Sequence, residues 1–146
     1  MHELNLFNHR IKIKVRFSDL DAMHHVNNAI YLSYLEEARI AYFNDVLNLS
    51  KSSLDFGAVI ARIEINYLNP ILLGDDLEVL TRVVKFGNKS SDIENVLIVH
   101  RENNPIVAAK ASTKLVSYDY KKGESVAIPL SVKKAVENFE SRKSHD

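Results

Sequence analysis

The chain of 146 residues contains no cysteine. That absence excludes disulfides, thiolate metal sites and a cysteine nucleophile. A charge excess is missing too: 19 Lys and Arg balance 19 Asp and Glu, so the formal net charge is zero with histidine neutral. Without a basic surplus to release counterions from a phosphate backbone, nucleic acid is not expected as the principal partner. Long hydrophobic runs are also lacking. The opening MHELNLFNHR is charged, with no apolar core of signal-peptide length, and no later run approaches the roughly 20 residues of a membrane-spanning helix. The expectation is a cytosolic protein without membrane insertion. No G-x-S-x-G elbow is present for a serine nucleophile, and no G-x-G-x-x-G or G-x-x-x-x-G-K loop for NAD or ATP.

What is present is the composition of a folded protein, 46% hydrophobic and 26% charged, at a length that predicts a single domain over residues 1–146. Ile11, Ile13, Val15 and Phe17 alternate with Lys12, Lys14 and Arg16, which predicts a strand over about 10–17 with one wet face. After the polar segment SDLDAMHHVNN, Tyr31, Leu35, Ala38, Tyr42 and Val46 recur at helical spacing, predicting a helix from Ala29 to about Leu47 with Asn27 or Asn28 as N-cap. Ile30, Leu32, Tyr34, Ile40, Ala41 and Phe43 widen its apolar stripe, so the helix is expected to be enclosed.

From Phe56 the pattern is β, with strands over about 57–68, 76–86, 90–102 and 106–119. Asn69-Pro70 with Gly74-Asp75-Asp76, Gly87-Asn88 and Asn103-Asn104-Pro105 separate them. Such short spacers require antiparallel neighbours, because parallel strands need crossovers of about a dozen residues or more. Val132, Ala135, Val136 and Phe139 predict a terminal amphipathic helix over 130–142, after Pro129, with Ser131 as candidate cap and a frayed SRKSHD tail. The fold class is α+β: a five-stranded antiparallel sheet curled around one long central helix, plus a short C-terminal helix. Its open edges invite a second copy.

The segment from Phe17 to Asn28 joins a strand end to the start of the central helix and places Asp19 and Asp21 beside that helix's positive end. Unpaired N–H groups there can polarise a carbonyl whose oxygen becomes negative in a transition state. A nearby carboxylate can attack that carbonyl or activate a water. On the residue types alone a purely structural role is the commoner one. Asp before a helix is a common capping arrangement, Asn27 and Asn28 serve as caps or as substrate contacts, and a His25 ring packs readily in a turn. His24-His25 lacks the i, i+4 spacing of a helical metal site, and no metal is expected.

DLDAMHHVNNAIYLSYLEEARIAYF at 19–43, INYLNPILLGDDLEV at 65–79, FGNKSS at 86–91 and AAKASTKLVSYD at 108–119 together resemble the 4-hydroxybenzoyl-CoA thioesterase-like acyl-CoA thioesterases of the hotdog fold. The likeness covers about residues 10–120. Its first segment is specific, because Asp-x-Asp, His-Val-Asn-Asn, an aromatic-rich helix and Glu-Glu-Ala-Arg follow in one order. The resemblance implies a hotdog domain that hydrolyses an acyl-CoA or acyl-carrier-protein thioester to the free acid. No cofactor is implied beyond the coenzyme A of the substrate, and the assembly is expected to be a homodimer or homotetramer with its sites between two central helices.

It also implies roles position by position. Asp21 is the catalytic carboxylate, as nucleophile or general base, and the backbone N–H around Asn28 polarises the thioester carbonyl. Asp19, His25 and Asn27 are supporting residues. Lys89 and Ser90 match a Lys-Ser pair beside the coenzyme A phosphates, where Lys85, Arg82 or a partner subunit are the alternative cations, since Gly87 and Asn88 precede the pair. Tyr31 is the candidate substrate contact; Tyr34, Tyr42 and Phe43 are expected in the core. His24 stands where the family commonly has glycine, at a position suited to φ > 0. Glu37 is the reserve carboxylate, and Glu36 with Arg39 is expected as an i, i+3 pair. Two other readings remain open: a hydratase or dehydratase pairing His25 with Asp21, and a non-catalytic acyl-CoA-binding protein.

Overall fold

The computed structural model describes residues 2–48 and 57–142. Strands β1 (His9–Lys14), β2 (Ala58–Tyr67), β3 (Asp76–Phe86), β4 (Ser90–Arg101) and β5 (Asn104–Asp119) form one antiparallel sheet in the order β1-β3-β4-β5-β2. A two-residue strand, β6 (Glu124–Ser125), pairs with the end of β5 and had no signal in the sequence. Helix α1 (Ile30–Leu47) lies across the concave face, and α2 (Leu130–Glu140) closes one end. Register shifts between Ile60 and Arg62, between Val83 and Lys85, and between Leu97 and Ile98 mark bulges that help the sheet to bend.

Alternation along the strands sends Leu77, Val79, Leu97, Val99, Ala109 and Ala111 to the helix, where Leu35 and Ala38 are fully buried against them. A second cluster at the α2 end joins Tyr42, Phe43, Val83, Ile93, Leu115 and Val136. Each large apolar side chain buried this way contributes roughly 1.5–3 kcal/mol. Between the two clusters the same faces carry Thr81, Asn95 and Thr113, all buried, so the core has a polar layer at mid-height. Asn95 Nδ2 donates to Thr81 Oγ1 (2.8 Å) and to the Leu80 carbonyl (3.1 Å). On the convex face an N-terminal 3-10 turn (His2–Leu6), which the sequence reading did not anticipate, helps Leu4 and Phe7 cover Leu80, Val96 and Ile98.

Several boundaries differ from expectation. The first strand ends at Lys14 rather than 17, because Phe17–Asp19 form a 3-10 turn held by Asp19. Phe17 is 77% exposed and takes no part in the alternation. Helix α1 starts at Ile30 with Ala29, not Asn27 or Asn28, at the cap position and no side-chain cap bond; Asn27 forms the turn just before it, its side chain accepting from Ala29 N and its carbonyl from Ile30 N (both 2.9 Å). At α2 the flanking residue is Pro129, not Ser131, and its carbonyl accepts from Val132 N and Lys133 N. Phe56 and the tail residues 143–146 lie outside the described residues.

The largest difference concerns enclosure. The chain covers α1 on one side only, leaving Leu32 44% and Ile40 53% exposed. A single sheet of this width curls round the face of Leu35, Ala38 and Tyr42, and the apolar residues beyond that face stay open. At the far end, His9 Nε2 lies 2.8 Å from Asp45 Oδ2, while Glu140 accepts from the Tyr42 hydroxyl and from Val83 N. These contacts fasten α2 and β1 to α1. No helix among the described residues is long and apolar enough to cross a membrane.

Candidate active site

The turn from Phe17 to Asn28 is built on its own carboxylates, as Asx-rich turns are. Asp19 Oδ2 accepts from Arg16 N (3.0 Å) and from the Tyr34 hydroxyl (2.6 Å), and its carbonyl accepts from Asn27 N (2.8 Å). Both backbone and side chain of Asp19 are therefore engaged in tying the turn to α1. Burial, reinforced by the Asp19 carboxylate, pushes the Tyr34 phenol well above its usual range, so it remains a hydrogen-bond donor.

Asp21 is placed differently. Its Oδ1 accepts from Met23 N (2.9 Å) and His25 N (3.4 Å), its N–H donates to the His25 carbonyl, and its carbonyl accepts from His24 N. Oδ2 accepts nothing among the described residues, and the residue is exposed. Closing so tight a loop requires a left-handed residue, and His24 supplies it at φ 64°. The link between His25 and Asp21 runs through backbone N–H rather than the imidazole ring.

A second loop holds this turn in place. Val26 N donates to the Ile71 carbonyl (2.8 Å), and His25 bridges to Leu72. Arg101 grips Asp75 with two nitrogens (3.0 and 2.7 Å) and the Pro70 carbonyl at 2.8 Å, while Asp75 Oδ2 accepts from Leu72 N. Burial alone would push the Asp75 carboxyl up, but Arg101 and the Leu72 N–H outweigh it and hold the group below the usual carboxylate range.

At the helix start the Tyr67 hydroxyl donates to the Asn28 carbonyl (2.9 Å), fixing that peptide from β2. Asn28 N–H donates to no acceptor among the described residues. It lies at the positive end of α1, where orphan amides attract negative charge. Tyr31 meets Tyr67 edge to face, 4.8 Å between ring centroids, and burial pushes the Tyr31 phenol up. Asp21, His25, Asn28, Tyr31, Tyr67 and Asn69 line a cleft of about 320 Å³. The cleft thus brings together a carboxylate residue, a residue with an uncommitted amide and two tyrosines.

Other sequence candidates lie elsewhere. Lys89 and Ser90 sit in or beside the β3–β4 turn, where the Lys89 carbonyl accepts from Ser117 N (2.7 Å) and the Ser90 carbonyl from Gly87 N (2.8 Å). That turn is at the opposite end of β3, an 11-residue strand, and so on the order of 30 Å away along the chain's own sheet at about 3.3 Å per residue. Arg82 is paired with Glu94 (2.7 Å) and stacked over Phe7 on the convex face, while Lys85 is exposed. Tyr42 and Phe43 are core residues, and Glu36 and Glu37 are exposed on α1. The expected Glu36–Arg39 pair makes no close ion contact, although the Glu36 charge acts on Arg39, whose side chain is buried with Nη1 lacking a hydrogen-bond partner.

The sequence assigns no site role to Tyr67, Asn69, Asp75 or Arg101; the first three lie in the segment INYLNPILLGDDLEV that carries part of the family likeness, and Arg101 in none. Among the described residues no group of three or more His, Cys, Asp or Glu is arranged to hold a metal ion.

The family model of the thioesterase-like superfamily matches residues 15–136. The long-chain acyl-CoA thioesterase FadM of Escherichia coli K12 is 33% identical over 133 residues, spanning 88% of this chain and 96% of that protein. A thioesterase from Thermus thermophilus, solved in complex with coenzyme A and zinc, superposes with a TM-score of 0.81 at 39% identity, over 93% of this chain and 96% of its own. YbaW, a probable thioesterase from Escherichia coli, gives 0.73 at 31% identity over 90% and 98%. With the curled antiparallel sheet, the long helix and this match over most of its length, the chain belongs to the thioesterase-like superfamily, the hotdog-fold thioester hydrolases.

Proposed function

We propose that the protein is an acyl-CoA thioesterase in which Asp21 supplies the carboxylate and the Asn28 N–H the oxyanion donor. The observation that carries this reading is that Asp21 and Asn28, whose Oδ2 and N–H have no partners among the described residues, line one cleft. The thioester carbonyl accepts from Asn28 N–H at the α1 terminus. Asp21 takes a proton from a water as the water oxygen bonds to the carbonyl carbon, and the amide and helix dipole stabilise the tetrahedral oxyanion. The C–S bond then breaks, and the departing thiolate recovers the proton from Asp21. Direct attack by Asp21 through an acyl anhydride is the alternative route; single turnover in ¹⁸O-water labels the aspartate only in that case. The reaction requires no cofactor beyond the coenzyme A of the substrate.

The phosphates of coenzyme A need cations, and a second copy of the chain brings one. β2 is an edge strand, and pairing it antiparallel with β2 of another copy sets the Ala58 end of one beside the Tyr67 end of the other. Tyr67 holds the Asn28 peptide, whereas Ala58 pairs with Ser117, whose N–H donates to the Lys89 carbonyl. Each cleft then combines Asp21 and Asn28 of one chain with the partner's Lys89.

The test is release of free thiol from short, long and aromatic acyl-CoAs by the native protein beside Asp21→Ala and Asp21→Asn. Turnover of at least one substrate is expected, with both variants folded and slowed about 10²-fold or more. Stoichiometric binding without turnover would make the protein an acyl-CoA-binding protein instead. Full turnover in the variants would remove Asp21 from the chemistry.

A further inference from the structure

The proposed oxyanion donor sits in a stretch of backbone whose other polar groups are all committed. Asn27 N donates to the Asp19 carbonyl (2.8 Å), and the Asn27 carbonyl accepts from Ile30 N (2.9 Å). Ala29 N donates to Asn27 Oδ1 (2.9 Å), and the Ala29 carbonyl accepts from Leu32 N (3.2 Å). All of these bonds lie within the turn and α1. The bond to the Asn28 carbonyl does not, because its donor is the Tyr67 hydroxyl (2.9 Å) at the end of β2. From Asn27 to Ala29 only the Asn28 N–H has no partner among the described residues.

Asn28 stands where the turn becomes helix. The peptide plane before it carries the N–H and is held through the Asn27 carbonyl; the plane after it is held by Ala29 N and by Tyr67. Fixing both planes fixes the residue between them. A donor fixed before substrate arrives needs no reorganisation as the oxyanion forms.

Tyr67 is itself anchored. Its backbone pairs with Ala109, and just beyond it Leu68 N and Asn69 N both donate to the Ala108 carbonyl (2.8 and 3.0 Å), while Asn69 Nδ2 donates to the Val107 carbonyl (2.9 Å). Its ring meets the buried Tyr31 edge to face. Yet its hydroxyl bond adds little to stability: Tyr67 is 48% exposed and Asn28 is exposed as well, so water replaces the phenol at that carbonyl when the hydroxyl is removed. A rigid tyrosine that lines the cleft and bonds the peptide next to the donor is suited to aiming it.

We propose that Tyr67 is a positioning residue for the reaction: through the Asn28 carbonyl its hydroxyl aims the Asn28 N–H at the thioester oxygen. The proposal rests on the reading of Asn28 as oxyanion donor. Tyr67 acts through that amide and not on the reacting atoms, so its effect is largest in the transition state, where the oxygen carries charge.

Tyr67→Phe removes the hydroxyl and keeps the ring. The variant is expected to melt at the native temperature, with kcat lowered about tenfold and KM unchanged. Equilibrium binding of two stable coenzyme A analogues separates aim from mere support. One is a thioether bearing a trifluoromethyl ketone, which hydrates to a tetrahedral centre; the other is the matching thioether without the carbonyl. Binding of the ketone is expected to weaken about as much as kcat falls, and binding of the plain thioether to stay the same. A native kcat in the variant, a raised KM at unchanged kcat, or lower stability with both analogues weakened alike each overturns the positioning role. With native turnover intact and Asp21→Asn slowed, those outcomes leave the thioesterase reading standing; a native protein that turns over no acyl-CoA overturns both.

Discussion

His24 occupies the left-handed region at φ 64°, where a side chain with a Cβ costs roughly 1–2 kcal/mol more than glycine. Glycine has more freedom to lose on folding, so the two effects partly cancel. His24→Gly is expected to leave the Asp21 turn intact and to raise stability by about 0.5–1 kcal/mol. Thermal melts and free-thiol release on the same samples check it. A large loss of turnover at unchanged stability would instead assign the imidazole a contact with substrate. The neighbouring carboxylates share a turn but have different surroundings: Asp19 is consumed by Arg16, Asn27 and Tyr34, while Asp21 keeps one oxygen clear.

Among the elements, the loop between β2 and β3 has the most influence on the site. It is held by the Arg101–Asp75 clamp and passes its position to Val26 through the Ile71 carbonyl. Asp75 is held below its unfolded value of about 3.8. The unfolded chain therefore binds the proton first as pH falls, and stability from the pair is present above that value and lost as pH drops through the folded one. Asp75→Asn is expected to flatten this acid limb of stability, measured as Tm from pH 6 down to pH 3, and to reduce turnover at neutral pH by loosening the turn. An unchanged acid limb would show that the clamp does not anchor the loop.

For the whole molecule, the proposed site draws on two chains, and that has a statistical consequence. In a mixed dimer of Asp21→Asn and Lys89→Ala chains, one cleft carries both changes and the other carries neither. After exchange of equal amounts, half the dimers are mixed, so activity at low substrate is expected to recover to about a quarter of native. Lys89→Ala alone is expected to raise KM with little change in kcat, because a phosphate contact remote from the carbonyl binds substrate and transition state alike. Recovery no greater than the sum of the separate variants would place Asp21 and Lys89 in independent roles.

Much of this architecture is determined by neighbours along the chain. Strand alternation and the 3.6-residue period are local properties, so β3 and the end of α1 fall at the expected residues, and β2, β4 and β5 lie within one or two residues of expectation at most ends. Asp21, His24 and Asn28 also belong to one continuous turn, and His24 takes the left-handed geometry of the family's glycine although its Cβ disfavours it. What folding alone decided depends on sheet register and helix rotation, which join distant segments. Tyr67 reaches the Asn28 carbonyl from 39 residues away, and Arg101 braces the loop beneath Val26 without any local motif to announce it. The same curl puts Lys89 at the opposite end of the sheet from Asp21, buries Arg39 with Nη1 lacking a hydrogen-bond partner and leaves β2 open. Periodicity shows that a side chain belongs inside, whereas only the closed sheet shows which polar atoms are left without partners there.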